Sequence, residues 1–328
     1  MDIIIKKYSN SLKEEWDNLI DNSLNGTFIL KRQYLEYHNN RFVEYSTIIT
    51  IDGEVVAIFP ANVAGNKTIV SHGGLTYGSL IIDKILKPLE ILNCFKELLF
   101  FYNKLGFKNI TYKSVPLFYY SKNSMFENYM LFLVNAKLNR MDLSSVINLN
   151  NDIVLDQRKK RAIKKAKKNN LKIIKNEFLE IFWNKILSVN LKEKYQVKPV
   201  HSFKEIKYLQ SSFPENIFFY GVLFENQLIA GSIIYINNKV AHAQYIAASE
   251  LGKKLGALDF LFSELILNEL DQIDYFSLGI SNENNGKDLN IGLFNWKQGF
   301  GSEIFQNDFH IIDTNNYFLL ENKIIYGD

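Results

Sequence analysis

The spacing of apolar and polar positions in the first half of the chain predicts alternating helices and strands. Apolar residues recur at helical spacing over 13–20, 31–38 and 88–105, and at strand spacing over 2–7, 45–51, 55–63, 68–70 and 108–113. The turn Asp52-Gly53 between two of these strands is typical of a β-hairpin. Pro88 in the first turn and Gly106 after the last turn mark the ends of the longest helix.

The second half repeats this order of elements. Helices are predicted at 152–170, 178–191, 203–211, 257–270 and 289–298, and strands at 171–174, 217–224, 228–236, 240–247, 275–278 and 305–312. The last of these strands is expected to close the second sheet. Because the hairpin over 224–230 resembles the hairpin over 51–57, we interpret the chain as a duplicated unit with domains 1–148 and 149–328. Two unrelated α/β units remain the alternative.

Composition and charge exclude several classes of protein. The 328 residues include 47% hydrophobic and 22% charged residues, which is typical of a globular protein, and the net charge of +3 argues against a generic nucleic-acid coat. Cys94 is the single cysteine, so no disulfide and no cysteine metal site are expected, and no other cluster has metal-ligand spacing. The sequence shows neither a signal peptide nor an apolar run of membrane length, so we expect a cytoplasmic protein without a membrane span.

A turn after the strand 240–247 carries the first candidate chemistry. Small residues end the strand, and Gly252 and Gly256 precede the helix that begins at Ala257. Backbone N–H groups at such a turn can bind a phosphate, helped by the partial positive charge of the helix N-terminus. A plain tight connection is the alternative. If the turn binds a cofactor that carries phosphate, its predicted contacts are Ile246, Ala247, Gly252, Lys253, Lys254, Leu255, Gly256 and Ala257.

A strongly basic helix precedes the second unit's sheet. Eight of the eleven residues from Arg158 to Lys168 are basic, and Arg158, Arg161 and Lys165 share one face at helical spacing. Like charges repel one another in an isolated helix, and a nucleotide diphosphate or a nucleic-acid backbone would relieve that repulsion. A solvated face without a ligand is the alternative.

Three segments together resemble the FemAB-like branch of the GNAT superfamily, whose members contain two GNAT-like domains. They are the basic helix with the following Leu171, the helix start Gly256-Ala257, and the segment 294–301. That segment resembles an aromatic–x–Lys–x–x–Phe–Gly pattern in Lys297 and Phe300-Gly301, with Trp296 directly before the lysine. The glycine-rich loop Ser71–Gly78 of the first unit adds to the resemblance. Glu250 or Leu251 stands where the family has a basic residue, which departs from its pyrophosphate loop. The fold that this resemblance implies is α/β (α+β): two tandem GNAT-like domains, each a mixed, mostly antiparallel sheet flanked by helices.

The resemblance implies an N-acyltransferase. In one branch the acyl donor is acyl-CoA, the co-substrate. The acceptor there is a nucleotide-linked (dTDP) amino-dideoxy sugar that is used for surface polysaccharide such as O-antigen. A chain length near 330 favours this branch. A FemAB-type transferase that uses aminoacyl-tRNA for peptidoglycan is the alternative, and only there is nucleic acid a partner. A GNAT-like binding protein without turnover is the third possibility. Only the second domain is expected to bind acyl-CoA.

Candidate site residues follow from the chemistry of amine acylation, which needs a neutral amine and a donor for the developing oxyanion. The catalytic candidates are His72 in the glycine-rich loop, Glu283 in a polar loop, and Lys297, which matches the motif lysine. His242 and Gln244 are expected to point to one face of their strand. The predicted substrate contacts are Gly73, Gly74, Tyr77, Tyr119, Arg158, Arg161, Lys165, Gln244, Asn284 and Trp296.

Overall fold

The computed structural model describes residues 2–321, apart from the side chains of His38, Asn39, Asn40 and Tyr195. The chain forms two compact units. Unit 1 contains the residues up to Asp142, the short segment Asn285–Lys287 and the residues from Gln306 onward, and unit 2 contains Leu143–Asn284 and Asp288–Phe305. No helix within 2–321 has both the length and the apolar character that crossing a membrane requires.

Unit 1 contains the helices and the hairpin that the periodicity predicts. Its elements are β1 (Ile3–Lys7), α1 (Lys13–Asn22), α2 (Arg32–Leu35), β2 (Thr47–Ile51), β3 (Glu54–Phe59), β4 (Asn62–Val63), β5 (Thr68–Val70), β6 (Ile81–Ile82), α3 (Pro88–Lys104), β7 (Asn109–Lys113) and α4 (Phe126–Leu133). The strands β1-β2-β3-β6 form one antiparallel sheet. The apolar face of α3 packs into the core, and Gly106 ends that helix with a φ of 83°.

One long strand, β8 (Lys137–Asn148), was not predicted. The elements of unit 2 that follow it are α5 (Gln157–Lys168), β9 (Lys172–Lys175), α6 (Leu179–Ile181), α7 (Ser188–Tyr195), α8 (Phe203–Ser212), β10 (Ile217–Phe224), β11 (Gln227–Asn237), β12 (Val240–Ala248), α9 (Glu250–Leu255), α10 (Ala257–Glu264), β13 (Tyr275–Ile280), β14 (Asn282–Glu283), β15 (Asp288–Leu289) and α11 (Ile291–Gln298). The last strand, β16 (Glu303–Asp313), begins in unit 2 and continues into unit 1. A π-helix, Phe182–Leu187, lies between α6 and α7, and a second, Leu265–Glu269, follows α10.

Each unit contains one parallel strand pair that is only three residues long. In unit 1, Thr68–Val70 of β5 pairs with Asn109–Thr111 of β7. In unit 2, Val240–His242 of β12 pairs with Tyr275–Ser277 of β13. The other strand pairs whose residue-by-residue register is described within 2–321 are antiparallel. The predicted fold class, mixed and mostly antiparallel sheets flanked by helices, is therefore confirmed.

The last strand pairs differently from the prediction. We expected the strand at 305–312 to close the second sheet, but Phe309–Asp313 of β16 pairs antiparallel with β7, within unit 1. In unit 2 the matching position beside β13 is filled by residues Ser144–Asn148 of β8. The second sheet is thus completed by a strand that precedes its helices rather than by the strand that follows them.

Candidate functional site

The aromatic and glycine residues near the C-terminal end of α11 hold this helix against α5 and α10. Trp296 Nε1 donates to Asp259 Oδ1 over 2.8 Å, and Lys159 Nζ donates to the same oxygen over 2.6 Å. The Lys159 amine also lies 4.5 Å from the Trp296 ring centre and 3.9 Å from that of Phe300. A Cβ on Gly299 would lie 2.6 Å from a carboxylate oxygen of Asp156, so a larger residue there would displace the Asp156 side chain. Trp296, a predicted substrate contact, is therefore occupied by contacts inside unit 2.

Lys297 points away from this cluster and is buried, with 2% of its surface exposed. Its Nζ donates to the carbonyl oxygen of Gly279 over 3.0 Å and to that of Ile280 over 2.6 Å. Burial lowers the pKa of Lys297 to about 7. Because a protonated amine has three N–H donors, these two bonds leave one N–H for a further acceptor.

The two carbonyls belong to the part of β13 that is no longer paired with β12. The parallel pairing ends at His242 and Ser277. After these residues the two strands diverge, and we call the gap between them the opening. His242 Nδ1 lies 3.0 Å from Ser277 Oγ. Burial, and secondarily the charge of Lys297, lower the pKa of His242 to about 4, so its imidazole is neutral at pH 7. A neutral imidazole and a buried amine thus flank the opening between the strands.

A β-bulge at Gln244 interrupts the regular alternation of β12 after His242. Ile234 pairs with Ala243 and Ile233 pairs with Tyr245, so Gln244 is an extra residue without a partner on β11. The core-facing positions confirm the phase shift, since they are 241 and 243 before the bulge and 246 and 248 after it. Tyr245, which follows the extra residue Gln244, therefore continues the face of the strand on which His242 lies.

The turn after β12 is a short helix rather than an open glycine loop. Ser249 Oγ caps α9 by accepting the N–H of Gly252 over 3.1 Å, so this N–H already has an acceptor. Gly256 then takes a left-handed conformation with a φ of 72°, and α10 begins at Ala257 as expected. Lys253 forms an ion pair with Glu250 over 2.5 Å. The start of α10, where the first N–H groups have no partner within the helix, is the better anion position.

Gly252 has a packing role that can be tested. A Cβ at this position would lie 2.3 Å from the backbone oxygen of Ile229, which belongs to the core strand β11. We expect Gly252→Ala to lower the free energy of unfolding by about 1–3 kcal/mol, the usual cost of overpacking. Urea unfolding followed by circular dichroism measures this change. The control Gly53→Ala tests whether loss of a glycine alone explains the destabilisation. A Cβ at Gly53 would have no heavy atom within 4 Å, and the φ of 94° at this residue adds only local backbone strain. Equal destabilisation by both variants would contradict the packing argument.

The basic face of α5 lies beside the start of α10. A Cβ on Gly256 would lie 3.0 Å from that of Ala162, and Lys165 Nζ donates to the carbonyl oxygen of Lys254 over 2.5 Å. Seven of the eight basic residues of the helix are exposed, namely Arg158, Lys160, Arg161, Lys164, Lys165, Lys167 and Lys168. The predicted contacts Arg158, Arg161 and Lys165 thus lie on one helix that packs against α9 and α10, with the predicted cofactor contacts Lys253 and Lys254 exposed on α9.

Glu283 and Asn284 lie on the small hairpin formed by β14 and β15. Glu283 is exposed, and its Oε1 accepts the side-chain N–H of Asn290 over 2.8 Å. Asn290 in turn caps α11, because its Oδ1 accepts the N–H of Leu293 over 3.0 Å. Asn284 is exposed in the turn with a φ of 48°. The hairpin therefore supports the helix that carries Lys297.

The predicted residues of the glycine-rich loop lie in unit 1. His72 is buried, has a φ of 54°, and lines a pocket of about 240 Å³ together with Arg32 and Phe42. The N–H of Gly73 is bound by Asn62 Oδ1 over 2.6 Å, and Gly73 and Gly74 are exposed. Two further predicted contacts form a ring pair, Tyr77 with Tyr119, whose centroids are 5.1 Å apart.

Unit 1 has its own buried lysine at the position that matches the diverging strand. Lys113, at the end of β7, donates through Nζ to the carbonyl oxygen of His72 over 2.6 Å and to that of Leu75. Burial, and secondarily the charge of Arg140, lower its pKa to about 8. The N–H of Lys113 is bound by Ser71 Oγ, and the N–H of Gly78 donates to its carbonyl oxygen. In unit 1 the glycine-rich loop therefore lies against the end of β7.

Several residues of the unit 2 site were missed by the sequence analysis. Ser277, Gly279 and Asp259 contact the predicted residues through a hydroxyl, a backbone carbonyl and a carboxylate. Backbone carbonyls have no signature in a sequence. Gly279 did offer one signal, because a glycine inside a strand pattern indicates a bulge or an unusual backbone, and its φ is 72°. No group of three or more His, Cys, Asp or Glu residues within 2–321 could hold a metal ion.

Comparison with known proteins identifies the fold. No family model matches the sequence, and no curated protein matches it. FemX is 10% identical, the match covers 98% of this chain and 100% of FemX, and the TM-score is 0.68. L-PGS from Bacillus licheniformis is 12% identical over 94% of this chain and 93% of L-PGS, with a TM-score of 0.59. A tandem GNAT protein from the clavulanic acid biosynthesis pathway, determined without AcCoA, is 8% identical over 95% and 99%, with a TM-score of 0.53. The chain thus has the two-unit GNAT-like fold that was predicted.

Proposed function

We propose that unit 2 is an N-acyltransferase that moves an acyl group from acyl-CoA to the amino group of a nucleotide-linked amino sugar. The observation that carries this proposal is the position of Lys297 at the opening between β12 and β13. Its buried ammonium group makes two hydrogen bonds and keeps a third N–H for a ligand. A donor of this kind, fixed before the reaction, is what a developing oxyanion requires. The fold shared with a tandem GNAT protein supports the same chemistry.

The reaction then proceeds by attack of a neutral amine on the thioester carbonyl. The nitrogen forms a bond to the acyl carbon, and the carbonyl oxygen becomes an oxyanion that accepts the third N–H of Lys297. The oxyanion collapses, the carbon–sulfur bond breaks, and CoA leaves as a thiolate. His242 is neutral at pH 7 and adds no charge that would oppose the positive charge on Lys297. The proposal gives no catalytic role to His72 or Glu283.

The phosphates of CoA are proposed to bind at the start of α10, beside the basic face of α5. The helix N-terminus offers unpaired N–H groups, and Arg158, Arg161 and Lys165 offer charge. Unit 1 is proposed to bind no acyl donor, because Lys113 and the glycine-rich loop contact one another at the matching position. We therefore expect one CoA per chain.

The basic face gives a prediction with a matched control. We expect the double variant Arg161→Gln/Lys165→Gln to weaken CoA binding at least tenfold, because each lost charge-assisted hydrogen bond to a phosphate is worth about 1.5–3 kcal/mol. The control Lys160→Gln/Lys164→Gln removes the same charge from a neighbouring face of α5, about 100° away around the helix axis. Isothermal titration calorimetry with CoA measures both. Equal weakening by the two variants would mean that only the overall charge matters.

A second function is favoured by the number of charges on α5. Seven exposed cations along one helix exceed what a single diphosphate can bind, and they suit the backbone of a nucleic acid. The fold is also shared with FemX and with L-PGS, and a related structure is described as a putative lysylphosphatidylglycerol synthetase domain, with a TM-score of 0.56 and 10% identity. The alternative is therefore an aminoacyl transferase that uses aminoacyl-tRNA, with peptidoglycan precursors as acceptors.

One set of assays separates these functions. The protein is incubated with acetyl-CoA or a hydroxyacyl-CoA, a thiol reagent, and a panel of dTDP- and UDP-linked amino sugars. Thiol release that depends on one of the sugars supports the first function. Absence of thiol release, together with tight and salt-sensitive binding of aminoacyl-tRNA, supports the second. CoA binding without transfer to any amine would indicate a binding protein that has lost turnover.

A further inference from the structure

A tyrosine–histidine pair lies on the diverging part of β12. We infer that Tyr245 and His201 relay the proton that the attacking amine must lose, and this inference rests on the acyl transfer proposed above. Tyr245 follows the bulge and continues the face of His242, the last residue of β12 that pairs with β13. Tyr245 therefore lies on the part of β12 that borders the opening, where the reaction is proposed to occur.

Two irregular elements meet at Tyr245. The bulge at Gln244 shifts the phase of β12 so that Tyr245 occupies this face. The π-helix Phe182–Leu187 packs on the same strand, and the ring of Trp183 lies edge-on to Tyr245 with a centroid distance of 5.0 Å. Bulges and π-helices both occur frequently next to functional sites, where they aim a side chain. Here the two together fix the orientation of one phenol.

The phenol oxygen of Tyr245 lies 2.5 Å from Nδ1 of His201. His201 is buried, 6% exposed, and comes from the segment before α8, 44 residues away in sequence. Tyr102, a buried tyrosine of unit 1, is bound differently: it donates to the backbone oxygen of Tyr45 over 2.7 Å and thereby supports the core. Partnership with an imidazole places a nitrogen that can accept the phenol proton next to Tyr245.

His242 cannot serve as this base. Its pKa of about 4 lies far below neutral pH, and catalysis by a general base is most effective when its pKa lies near the working pH. Its Nδ1 is also engaged with Ser277 Oγ. Lys297 is committed to two carbonyls and to the oxyanion. Tyr245 and His201 are thus the pair along this face of β12 that is left to move a proton.

The step balances without a further reactant. When the amine nitrogen has bonded to the acyl carbon, it carries a positive charge and an excess proton. That proton passes to the oxygen of Tyr245 while the phenol proton passes to Nδ1 of His201, so the phenol stays neutral and His201 becomes an imidazolium. The imidazolium returns the proton by the same route to the departing thiolate, or to water.

The experiment compares Tyr245→Phe with His201→Gly and with the control Tyr102→Phe. The donor is acetyl-CoA, and the acceptor is the amino sugar that gives thiol release with the unaltered protein. We expect kcat to fall by roughly 10²-fold or more in both site variants, the usual contribution of general acid–base catalysis, with KM changed less than threefold. Added imidazole should restore His201→Gly but not Tyr245→Phe. The control should keep kcat, although it loses one buried hydrogen bond.

The outcomes separate this inference from the proposed function. Transfer by the unaltered protein that survives Tyr245→Phe within threefold overturns the relay and leaves the function standing. Absence of transfer by the unaltered protein overturns both. Thermal melts identify a variant that has failed to fold, and His201→Gln then replaces His201→Gly because it keeps more of the side-chain volume. A kcat in His201→Gln that stays within threefold of that of the unaltered protein also overturns the relay.

Discussion

Lys297→Met is expected to lower kcat for acyl transfer by roughly 10²–10³-fold, which is the usual cost of removing one oxyanion donor. Methionine keeps an unbranched chain of similar length but removes every N–H from the opening between β12 and β13. KM should change little, because the lost hydrogen bond forms with the oxyanion and not with the bound substrate. The measurement is steady-state thiol release with the acceptor that the unaltered protein uses.

Lys113→Met is the matched control for this variant. Lys113 is also a buried lysine that donates to two backbone carbonyls, but it lies in unit 1. Both variants leave two carbonyls without a donor, so both are expected to be less resistant to urea. Only Lys297→Met should lose kcat once the comparison is made per folded molecule. A similar loss of kcat in both variants would mean that the effect of Lys297 is structural.

Asp259→Ala is expected to lower the free energy of unfolding by about 3–5 kcal/mol, since it leaves a buried charge without its partner. Lys159 is buried, and its ion pair with Asp259 spans 2.6 Å. Burial lowers the pKa of Lys159, and the carboxylate of Asp259 opposes that change. The Trp296 indole N–H also loses its acceptor. Urea unfolding monitored by tryptophan fluorescence measures the effect.

The control for Asp259→Ala is Glu264→Ala on the same helix. Glu264 pairs with Lys167 over 3.0 Å, and the side chain of Lys167 is 61% exposed, so this pair should contribute no more than about 1 kcal/mol. Comparable destabilisation by the two variants would contradict the view that the Asp259 cluster holds α11 against α5. That view matters for function, because α11 carries Lys297.

The order of elements could be predicted because it depends on local patterns. Helix spacing, the Asp52-Gly53 turn, and the Pro88 and Gly106 boundaries are readable from neighbouring residues. The partner of the last strand is not local, since Phe309–Asp313 pairs with residues about 200 positions earlier. The strand β8 was missed because Ser144 and Ser145 resemble a linker, although both are buried in the structure.

The candidate site was predictable only where it depends on local sequence motifs. Lys297 belongs to a short motif, whereas its carbonyl partners at 279 and 280 are backbone atoms that any residue would offer. Gly252 illustrates a different difficulty: a glycine before a helix suits a phosphate turn, but here the backbone of Ile229 also leaves no room for a Cβ. Sequence alone does not distinguish these two reasons for a glycine.

The central claim is that the Lys297 site of unit 2 transfers an acyl group to an amine. Its most direct test is mass spectrometry of the amino-sugar panel after incubation with acyl-CoA and the protein. The account predicts one sugar whose mass increases by one acyl group on its nitrogen, with an equal amount of free CoA and almost no product from Lys297→Met. A protein that binds CoA but acylates no amine in the panel, or a Lys297→Met variant that forms product at the unaltered rate, would contradict it.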